Sequence, residues 1–394
     1  MKIGITGPIL VKSLEHHLDS TEQNNISGMG GTAVNIIING LLKLGHQVSV
    51  YSLDPKATEK TILSGRNLKI YFGRFRGKAR YQMLDNFYYE SRQIRDFIIE
   101  DKPDIVHAHW TYEYAMGAIM SKYPHLITFR DESWEILKYF KDIYRFFRLI
   151  LDFRVRYRGK NFSVNSIYLQ EKLKYFKEGL PVISNPINEE EILDKPKIHP
   201  EKTMKIVSSL NGWSKRKNPE VALQAFRMLR DEFGEKVEYH LYGPGFEPDK
   251  DGYLWAKGNH LLEGVYFHGE VNHVEMMKMF STMDVMLHPA LEESFGNTLI
   301  EGLAKGLPVI AGEKAGAVPW VLNEGKNGLL VDVTSPEAIY NALKQLVIDQ
   351  YLYNTLSADG LGYVKENFSS MMIARKYTDL YEQILGSETV SINA

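Results

Sequence analysis

Residues 288–319 have the sequence HPALEESFGNTLIEGLAKGLPVIAGEKAGAVP, in which a strand, a turn and a helix follow one another. An apolar run ends at His288, a turn with two adjacent glutamates follows, and Ser294 is placed to cap the next helix. Because open α/β sheets bind ligands beyond the carboxyl ends of their strands, we expect this turn to border a crevice. The N–H groups around Gly296 would then point at an anion such as a phosphate.

Two glutamates of this segment, Glu293 and Glu301, lie eight residues apart and have two interpretations. In the first, both carboxylates face the crevice and bind a ligand there. In the second, Glu293 only complements the helix dipole, and Glu301 pairs with Lys305 at i,i+4 on a solvated face. The spacing alone leaves both interpretations open.

Short apolar runs alternate with helical segments through most of the chain, which indicates βαβ units and parallel sheets. The strands predicted in the first half are Lys2–Gly7, Gln47–Leu53, Leu68–Phe72, Asp104–His109, Leu126–Arg130, Phe162–Val164 and Val182–Ser184. Those predicted in the second half are Lys205–Ser209, Val237–Tyr242, Val265–His268, Val285–His288, Val309–Ala311 and Gly328–Val331. Long helices are predicted at Thr32–Leu44, Leu84–Glu100 and Trp134–Asp152. The fold class is therefore α/β, with two Rossmann-like, doubly wound parallel-sheet domains.

The two predicted domains are separated by residues 185–204, a stretch rich in proline and charge that we interpret as the linker. The first domain is predicted at 1–190 and the second at 195–368. A last helical segment, at 369–385, follows the second sheet. We expect this helix to pack back on the first domain.

The composition excludes several classes of protein. The 394 residues are 44% hydrophobic, and 47 basic against 49 acidic residues leave a net charge of −2, so we expect no nucleic-acid binding through bulk positive charge. The chain has no cysteine, which excludes disulfides, thiolate nucleophiles and cysteine-based zinc sites. Residues 1–7 are typical of a strand and not of a signal peptide, and no apolar run suits a membrane span. We therefore expect a cytoplasmic protein.

Several motifs together resemble the large family of retaining glycosyltransferases with the GT-B fold, glycosyltransferase family 4 or group 1. The glutamate pair surrounds S-F-G and is followed by G-L-P-V-I-A and by N-G-L-L-V-D at 327–332. The first half adds L-G-H-Q-V at 44–48 and K-P-D-I-V-H-A-H at 102–109, and the second adds V-Y-F-H-G-E at 265–270. The resemblance covers nearly the whole chain. It implies two domains that face a cleft, with the acceptor bound mainly by the first domain and a nucleotide-sugar by the second.

The resemblance also implies roles for individual residues. Glu301 would hold the ribose hydroxyls of the nucleotide-sugar, and Glu293 would lie against the donor sugar. His109, Lys217 and Glu293 are the implied catalytic residues. The implied donor-binding residues are Gly30, Gly31, Arg216, Lys217, Gly243, His268, Glu293, Ser294, Phe295, Gly296, Asn297, Thr298 and Glu301.

The run Lys215, Arg216 and Lys217 follows the first strand of the second domain and has two interpretations. Three adjacent basic residues are commonly only part of a solvated loop. The resemblance implies instead that a lysine and an arginine at this place neutralise the donor's diphosphate, with Lys217 at the lysine position. The usual glycine–arginine pair is replaced around Asn211 and Gly212, and Arg216 is the candidate substitute.

A glycine cluster, Gly28, Gly30 and Gly31, precedes the first long helix. Glycine N–H groups allow a phosphate or sugar to approach closely, although such clusters are also common in plain flexible loops. The resemblance implies that this loop faces the donor's diphosphate. The long polar segment before it, residues 8–27, is a candidate acceptor-binding loop.

Two places in the sequence hold possible metal ligands. His107 and His109 alternate to one side of a strand end, but no nearby residue has zinc-ligand spacing, so His107 suits a hydrogen-bonded core histidine. Asp249 and Asp251 form a D-x-D pair in a proline-flanked loop, which we interpret as a turn. The resemblance implies a donor-sugar contact for His109, and no cofactor or metal is expected.

A basic amphipathic helix is predicted within residues 138–160, which hold eight basic and two acidic residues. Its predicted basic face is Lys138, Lys141, Arg145 and Arg148, and its apolar face is Phe140, Ile143, Phe147 and Leu151. This helix would rest on anionic lipid at the inner face of a membrane, as a lipid-linked acceptor would require. Alternatively, it packs its apolar face on the first sheet and leaves the basic face in water.

Taken together, the sequence predicts a metal-independent, retaining hexosyltransferase that uses a nucleotide-sugar donor and a glycan or lipid-linked acceptor in surface polysaccharide assembly. Arg130 departs from the histidine that many relatives have before Asp131, which bears on acceptor choice. Two alternatives stay open. One is a catalytically silent subunit or chaperone of a glycosylation complex, and the other is an epimerase or phosphorylase of the same two-domain shape.

Overall fold

The computed structural model describes residues 1–19 and 26–392, with side chains as far as Ser387. The chain forms two compact units, one comprising Met1–Pro186 together with the chain from Ser370 onward, and the other comprising Ile187–Ser369. Each unit has its own parallel sheet and its own hydrophobic cores.

The first unit is built on a seven-stranded sheet with the order β3-β4-β2-β1-β5-β6-β7. Its strands are β1 (Lys2–Thr6), β2 (Gln47–Asp54), β3 (Thr61–Ser64), β4 (Leu68–Arg74), β5 (Ile105–His109), β6 (His125–Phe129) and β7 (Asn161–Val164). All pairs are parallel except the edge pair of β3 with β4. The central strands are buried on both faces because helices cover the sheet on each side, which explains their continuous apolar runs.

The helices of this part of the chain are α1 (Thr32–Lys43), α2 (Ala79–Leu84), α3 (Tyr88–Asp101), α4 (Glu113–Ser121), α5 (Ser133–Phe140), α6 (Ile143–Arg158) and α7 (Ile167–Lys172). The single helix predicted at Trp134–Asp152 is wrong, because the chain breaks between α5 and α6. Lys141 adopts a left-handed conformation with φ of 48°, and the Asp142 carboxylate caps α6 by accepting a hydrogen bond from the Arg145 N–H.

Two further differences concern strands of the first unit. The edge strand β3 was not predicted, because its side chains are mostly exposed and it lacks an apolar run. The predicted strand Val182–Ser184 is wrong, since only an isolated bridge joins Val182 to Val164. The other predicted strands are confirmed to within a few residues.

The second unit is built on a six-stranded, all-parallel sheet with the order β10-β9-β8-β11-β12-β13. Its strands are β8 (Met204–Ser209), β9 (Val237–Tyr242), β10 (Val265–Gly269), β11 (Val285–His288), β12 (Val309–Gly312) and β13 (Leu329–Val331). Its helices are α8 (Pro219–Phe233), α9 (Asp251–Gly258), α10 (His273–Ser281), α11 (Asn297–Ala304), α12 (Val318–Val321), α13 (Pro336–Ile348) and α14 (Gln350–Asn367). The six strands predicted for this half are confirmed.

The stretch predicted as a linker, residues 185–204, is packed for much of its length on the second unit. The Ile187 N–H donates to the Phe368 carbonyl, and the Leu193 N–H donates to the Ala304 carbonyl. The Lys197 N–H donates to the Ser357 hydroxyl at 2.8 Å. The chain is therefore held by hydrogen bonds from its first residues after Pro186.

The last helix, α15 (Ser370–Ile392), belongs to the first unit and packs on α1. The two helices meet closely at Gly40, where an added Cβ would lie 2.7 Å from the Ser370 carbonyl oxygen. Tyr377 and Tyr381 of α15 are completely buried in the core of this unit. Across residues 1–19 and 26–392, the helices are all too short or too polar to span a lipid bilayer.

Candidate active site

A cleft of about 300 Å³ lies in the second unit, at the carboxyl ends of its central strands. Ser209 at the end of β8 and Tyr242 at the end of β9 line it, together with Glu270 after β10. Parallel sheets bind ligands at this edge because the helices that follow the strands direct their N-termini toward it. Six of the predicted donor-binding residues line the cleft, namely Lys217, Gly243, Glu293, Gly296, Asn297 and Thr298.

Lys217 and Glu293 of the cleft lining form an ionic cluster with the buried His288. The Lys217 ammonium donates to Glu293 Oε1, and His288 Nε2 lies 3.3 Å from the same oxygen. The side chains of Lys217 and Glu293 are only 9% and 13% exposed. Burial would raise the pKa of Glu293, but His288 and Lys217 outweigh it and hold the pKa of this carboxyl well below its usual range. Glu293 is therefore a carboxylate at any working pH.

His288 was not predicted as a site residue, although it marks the end of β11. The signal was present in the sequence, because a histidine at the carboxyl end of a parallel strand lies at the ligand edge of the sheet. What the sequence lacked was the contact with Glu293, which depends on the path of the turn between them.

Glu301 lies on α11 and is held by a histidine from another helix. Glu301 Oε1 is 2.9 Å from His273 Nε2 at the start of α10. Burial opposes protonation of His273, yet the hydrogen bond and charge of Glu301 prevail and raise the pKa of His273 above its ordinary value. The alternative surface pair of Glu301 with Lys305 is wrong, because the Lys305 ammonium lies 2.6 Å from Glu191. Glu301 does not itself line the cleft of the second unit.

Several predicted donor-binding residues lie outside the lining of this cleft. The guanidinium of Arg216 is directed to Glu292, whose side-chain oxygen lies 3.3 Å away, and not to the cleft. The Phe295 side chain is core, 3% exposed, with its ring centroid 6.1 Å from that of Phe368. The prediction that Ser294 caps α11 is wrong, because Gly296 is the cap residue, with φ of 91° and no side-chain cap bond. The uncapped N-terminus of α11 therefore opens onto the cleft through Asn297 and Thr298.

His268 lies on β10 within a stack of rings. Its ring is parallel to that of Tyr242, 4.3 Å between centroids, and its Nε2 lies 3.0 Å from His240 Nδ1. Burial lowers the pKa of His268, so this ring is neutral near pH 7. Tyr242 lines the cleft, so His268 supports the cleft wall from behind and does not form it.

In the first unit, His109 ends β5 and is fully buried beside Arg130. Arg130 donates to His109 Nδ1 from Nη2 at 2.8 Å. The neighbouring His107 is the core histidine that was expected, with Nδ1 at 2.7 Å from the Tyr381 hydroxyl and Nε2 at 2.7 Å from the Thr128 hydroxyl. Burial and the charge of Arg130 lower the pKa of His109, which keeps its ring neutral.

The glycine cluster forms a tight turn before α1. The Gly28 N–H donates to Asp54 Oδ2 at 2.8 Å, and an added Cβ on Gly31 would lie 1.9 Å from the Pro8 carbonyl oxygen. Gly30 has φ of 99° and open space around it, so its backbone is accessible to a ligand. Of the candidate acceptor loop 8–27, residues 20–25 lie outside the described part of the chain.

The predicted basic face of residues 138–160 is wrong in one member. The Arg148 guanidinium carbon lies 3.6 Å from the Tyr112 ring centroid, and its Nη1 lies 3.4 Å from Glu113, so Arg148 is a packing residue. Phe140 and Ile143 of the predicted apolar face are instead 55% and 66% exposed. The exposed surface at the α5–α6 corner therefore combines these apolar side chains with exposed Lys138 and Lys141, of which Lys138 lies 3.1 Å from Glu135.

Among the described residues, no three histidine, aspartate or glutamate side chains are grouped as metal ligands. Asp249 has φ of 66°, as a turn residue does, and Asp251 begins α9. The interpretation of the D-x-D pair as a turn is consistent with these conformations.

These two Rossmann-like units, each with a parallel sheet and a ligand edge, have the GT-B fold. The structure of sucrose-phosphate synthase from Thermosynechococcus elongatus superposes on this chain with a TM-score of 0.77 at 16% identity. The alignment includes 98% of this chain and 100% of that protein's chain. HepE from Anabaena in complex with UDP-glucose superposes on this chain with a TM-score of 0.69 at 14% identity. The alignment includes 97% of this chain and 100% of that protein's chain. At these identities the likeness establishes the fold only.

Two family models match adjoining parts of the sequence. Glycosyltransferase Family 4 matches residues 29–191, and Glycosyl transferases group 1 matches residues 190–360. The chain therefore belongs to the group 1, or family 4, glycosyltransferases.

Curated relatives align with part of the chain. N-acetyl-alpha-D-glucosaminyl L-malate synthase from Bacillus anthracis is 28% identical over 181 residues, 46% of this chain and 46% of that protein. The chain spans about half the length of the curated relatives it matches first.

Proposed function

We propose that this chain is a retaining glycosyltransferase that moves a hexosyl group from a nucleotide-diphosphate sugar to a glycan or lipid-linked acceptor in surface polysaccharide assembly. The observation that carries the proposal is the buried cluster of Lys217, Glu293 and His288 in a cleft that also receives the N-terminus of α11. Structural neighbours crystallised with UDP and with UDP-glucose support a nucleotide-sugar donor.

The leaving group explains why positive charge is needed in this cleft. Breaking the bond between the sugar and the diphosphate places negative charge on the departing phosphate oxygens. Lys217 and the uncapped N-terminus of α11 supply preorganised positive charge where that charge develops. Glu293 offsets part of the lysine charge in the absence of ligand, which lowers the cost of burying an ammonium group.

Glu293 is proposed to position the donor sugar through its hydroxyls. A carboxylate with a strongly lowered pKa accepts hydrogen bonds well but does not donate a proton, so general-acid catalysis by Glu293 is not part of the proposal. Retention follows if the acceptor oxygen attacks from the face of the leaving group. The new bond to the anomeric carbon then forms as the bond to phosphate breaks, and a phosphate oxygen takes the acceptor's proton.

The proposed donor site is tested by a thermal-shift screen of UDP-, GDP- and ADP-sugars. A ligand at 100 times its dissociation constant stabilises a protein by about 2.7 kcal/mol. One nucleotide class should raise the melting temperature of the wild type clearly more than the other two. No shift with any of the three would contradict the proposed site.

Metal independence gives the first prediction. Because the proposed charge on the diphosphate is neutralised by Lys217 and α11, transfer activity should persist unchanged in excess EDTA. The measurement is the initial rate of donor consumption with and without chelator. Activity that is lost in EDTA and restored by Mn²⁺ or Mg²⁺ would contradict this part of the proposal.

A lipid-linked acceptor would bring the enzyme to an anionic membrane surface, and the α5–α6 corner is the proposed contact. Phe140, Ile143 and Phe146 are exposed there at 55%, 66% and 49%. Exposed Lys138 and Lys141 lie on the same corner. Aromatic side chains insert at the lipid headgroups while lysines attract anionic lipid, so the two features reinforce each other.

Vesicle binding tests this contact. The wild type should sediment with anionic vesicles at low salt and be released at high salt, because charges at a membrane surface are screened over about 8 Å at physiological ionic strength. Replacing Phe140, Ile143 and Phe146 with serine should abolish sedimentation.

The matched control replaces exposed lysines of the second unit, Lys250, Lys257 and Lys278, with glutamine. This variant should still sediment, since it changes the net charge but leaves the corner intact. Wild-type protein that does not sediment with anionic vesicles at low salt would contradict the proposed membrane contact. The proposal would then be of a soluble acceptor.

A further inference from the structure

Arg130 is a partly buried cation that forms no ion pair with an acidic side chain among the residues that the structure describes. It follows β6 directly, and its guanidinium donates to His109 Nδ1 at 2.8 and 3.3 Å and to the Asn185 side-chain oxygen. Both of these acceptors are neutral. Among the described residues, no carboxylate lies within the 4.0 Å of an ion pair with Arg130.

Other buried arginines of the same unit are paired in the ordinary way. Arg156 contacts both Glu132 and Asp152, and Arg148 contacts Glu113. Asp131, the acidic neighbour of Arg130 in sequence, accepts a hydrogen bond from the Tyr112 hydroxyl at 3.1 Å. The charges that act on Asp131 include those of Arg148 and Asp152, so its carboxylate does not balance Arg130.

An unpaired guanidinium at this place is costly. Burial lowers the pKa of Arg130, which reflects the loss of hydration around its charge. Proteins normally place an acidic partner beside a buried cation, because a charge removed from water without a partner destabilises the fold. A ligand that brings its own negative charge would remove that cost.

The position of Arg130 is where a ligand would be expected. Gly7, His109 and Arg130 stand at the carboxyl ends of β1, β5 and β6, which are adjacent in the sheet. His109 Nδ1 accepts from Arg130, so the proton of this neutral ring lies on Nε2. His109 Nε2 is buried and has no hydrogen-bond partner within the described residues. A second unused donor therefore lies beside the unpaired cation.

We propose that Arg130 binds an oxyanion, a carboxylate or a phosphate, carried by one of the two substrates in addition to the donor's diphosphate. A guanidinium presents parallel N–H groups that match such an anion. The assignment of the anion to a substrate rests on the proposed glycosyltransferase function. The anion is either a carboxylate on the donor sugar or a charged group on the acceptor.

Binding of simple anions tests the site without any activity measurement. Inorganic phosphate and malonate are titrated at constant ionic strength, and the melting temperature is followed. The nucleoside diphosphate selected by the thermal-shift screen is present at saturation to occupy the cleft of the second unit. The wild type should be stabilised in a saturable way. Arg130→Gln should weaken the apparent anion affinity at least tenfold, whereas Arg92→Gln, at a 60% exposed arginine of α3, should not change it.

Arg130→Lys keeps the charge but loses the parallel donors, so its affinity should be intermediate, and it carries the test if Arg130→Gln does not fold. Equal stabilisation of Arg130→Gln and wild type, or no stabilisation of the wild type, would overturn the proposal. Failure of UDP, GDP and ADP alike to bind would count against the proposed function and not against the anion site.

The source of the anion is resolved by two matched pairs of probes, measured by calorimetry. With the base that the thermal-shift screen selects, the nucleoside diphosphate glucuronate is compared with the corresponding glucose donor. Glucose 6-phosphate is compared with glucose in the presence of the same nucleoside diphosphate. The wild type should prefer the charged member of one pair at least tenfold, and Arg130→Gln should lose that preference. No preference in either pair, or a preference that survives in Arg130→Gln, would contradict a substrate-borne anion.

Discussion

Lys217→Ala is expected to lower kcat by about 100- to 1000-fold, the loss typical of removing one preorganised group that stabilises developing charge. The lysine side chain is 9% exposed and lines the proposed diphosphate cleft, so water replaces its charge poorly. The effect should fall on kcat more than on KM, because the diphosphate gains charge in the transition state. Steady-state kinetics of donor consumption provide the measurement.

The control for this variant is its exposed neighbour. Lys215→Ala removes a lysine two residues away that lies outside the cleft, and it should keep wild-type kcat. Lys217→Ala also leaves Glu293 with only His288 beside it, so its melting temperature is measured in parallel to separate catalytic loss from unfolding. A folded Lys217→Ala variant with wild-type kcat would show that the diphosphate is bound elsewhere.

Substitutions of Glu293 and Glu301 should change different quantities, kcat for the first and nucleotide affinity for the second. Glu301→Gln replaces a charged acceptor with a neutral amide, and hydrogen bonds to charged groups are worth about 1.5–3 kcal/mol. If Glu301 holds the ribose, the affinity for free nucleoside diphosphate should fall by about 10- to 100-fold, since 1.36 kcal/mol is a factor of ten. Weaker donor binding should appear mainly in KM.

Glu293→Gln should leave the affinity for nucleoside diphosphate at or above the wild-type value while lowering kcat. The free diphosphate has no sugar at this position, and Lys217 keeps its charge without a carboxylate to share it. Calorimetric titration of nucleoside diphosphate into both variants makes the comparison. Equal affinities in the two variants, or the reverse order, would refute the division of roles.

If Glu301 binds the ribose, its hydrogen bond with His273 must be shared or broken. His273 holds Glu301 at 2.9 Å, so ribose hydroxyls would have to share the second carboxylate oxygen or displace the imidazole. His273→Ala removes this partner and serves as the matched variant for Glu301→Gln. Nucleotide affinity that is kept in His273→Ala and lost in Glu301→Gln would assign the effect to the carboxylate itself.

Much of the second unit could be predicted because its signals are local. The six strands are short apolar runs bounded by turns, and the cleft residues Gly296, Asn297 and Thr298 follow directly from a helix start. Lys217 and Glu293 were predicted separately, by resemblance to a family motif. Their direct contact could not be predicted, since 76 residues separate them and only the fold brings them together.

The incorrect predictions concern residues whose tertiary contacts differ from those that their spacing along a helix favours. The i,i+4 spacing of Glu301 and Lys305 favoured a surface pair, but each side chain found a partner from another part of the unit. Arg148 had the spacing of a basic helix face and is instead packed against Tyr112. The helix break at Lys141 is a capping effect of Asp142, which the periodicity of the apolar residues does not reveal.

Hydrolysis of the donor without an acceptor tests whether the chain cleaves a nucleotide-sugar with retention. Wild type is incubated with UDP-, GDP- and ADP-glucose, all α-linked, and the released sugar is followed by proton NMR. One donor should be consumed faster by the wild type than by Lys217→Ala, with the α-anomer of glucose appearing first. Consumption of no donor above the rate of Lys217→Ala would favour a catalytically silent subunit, and first appearance of the β-anomer would contradict retention.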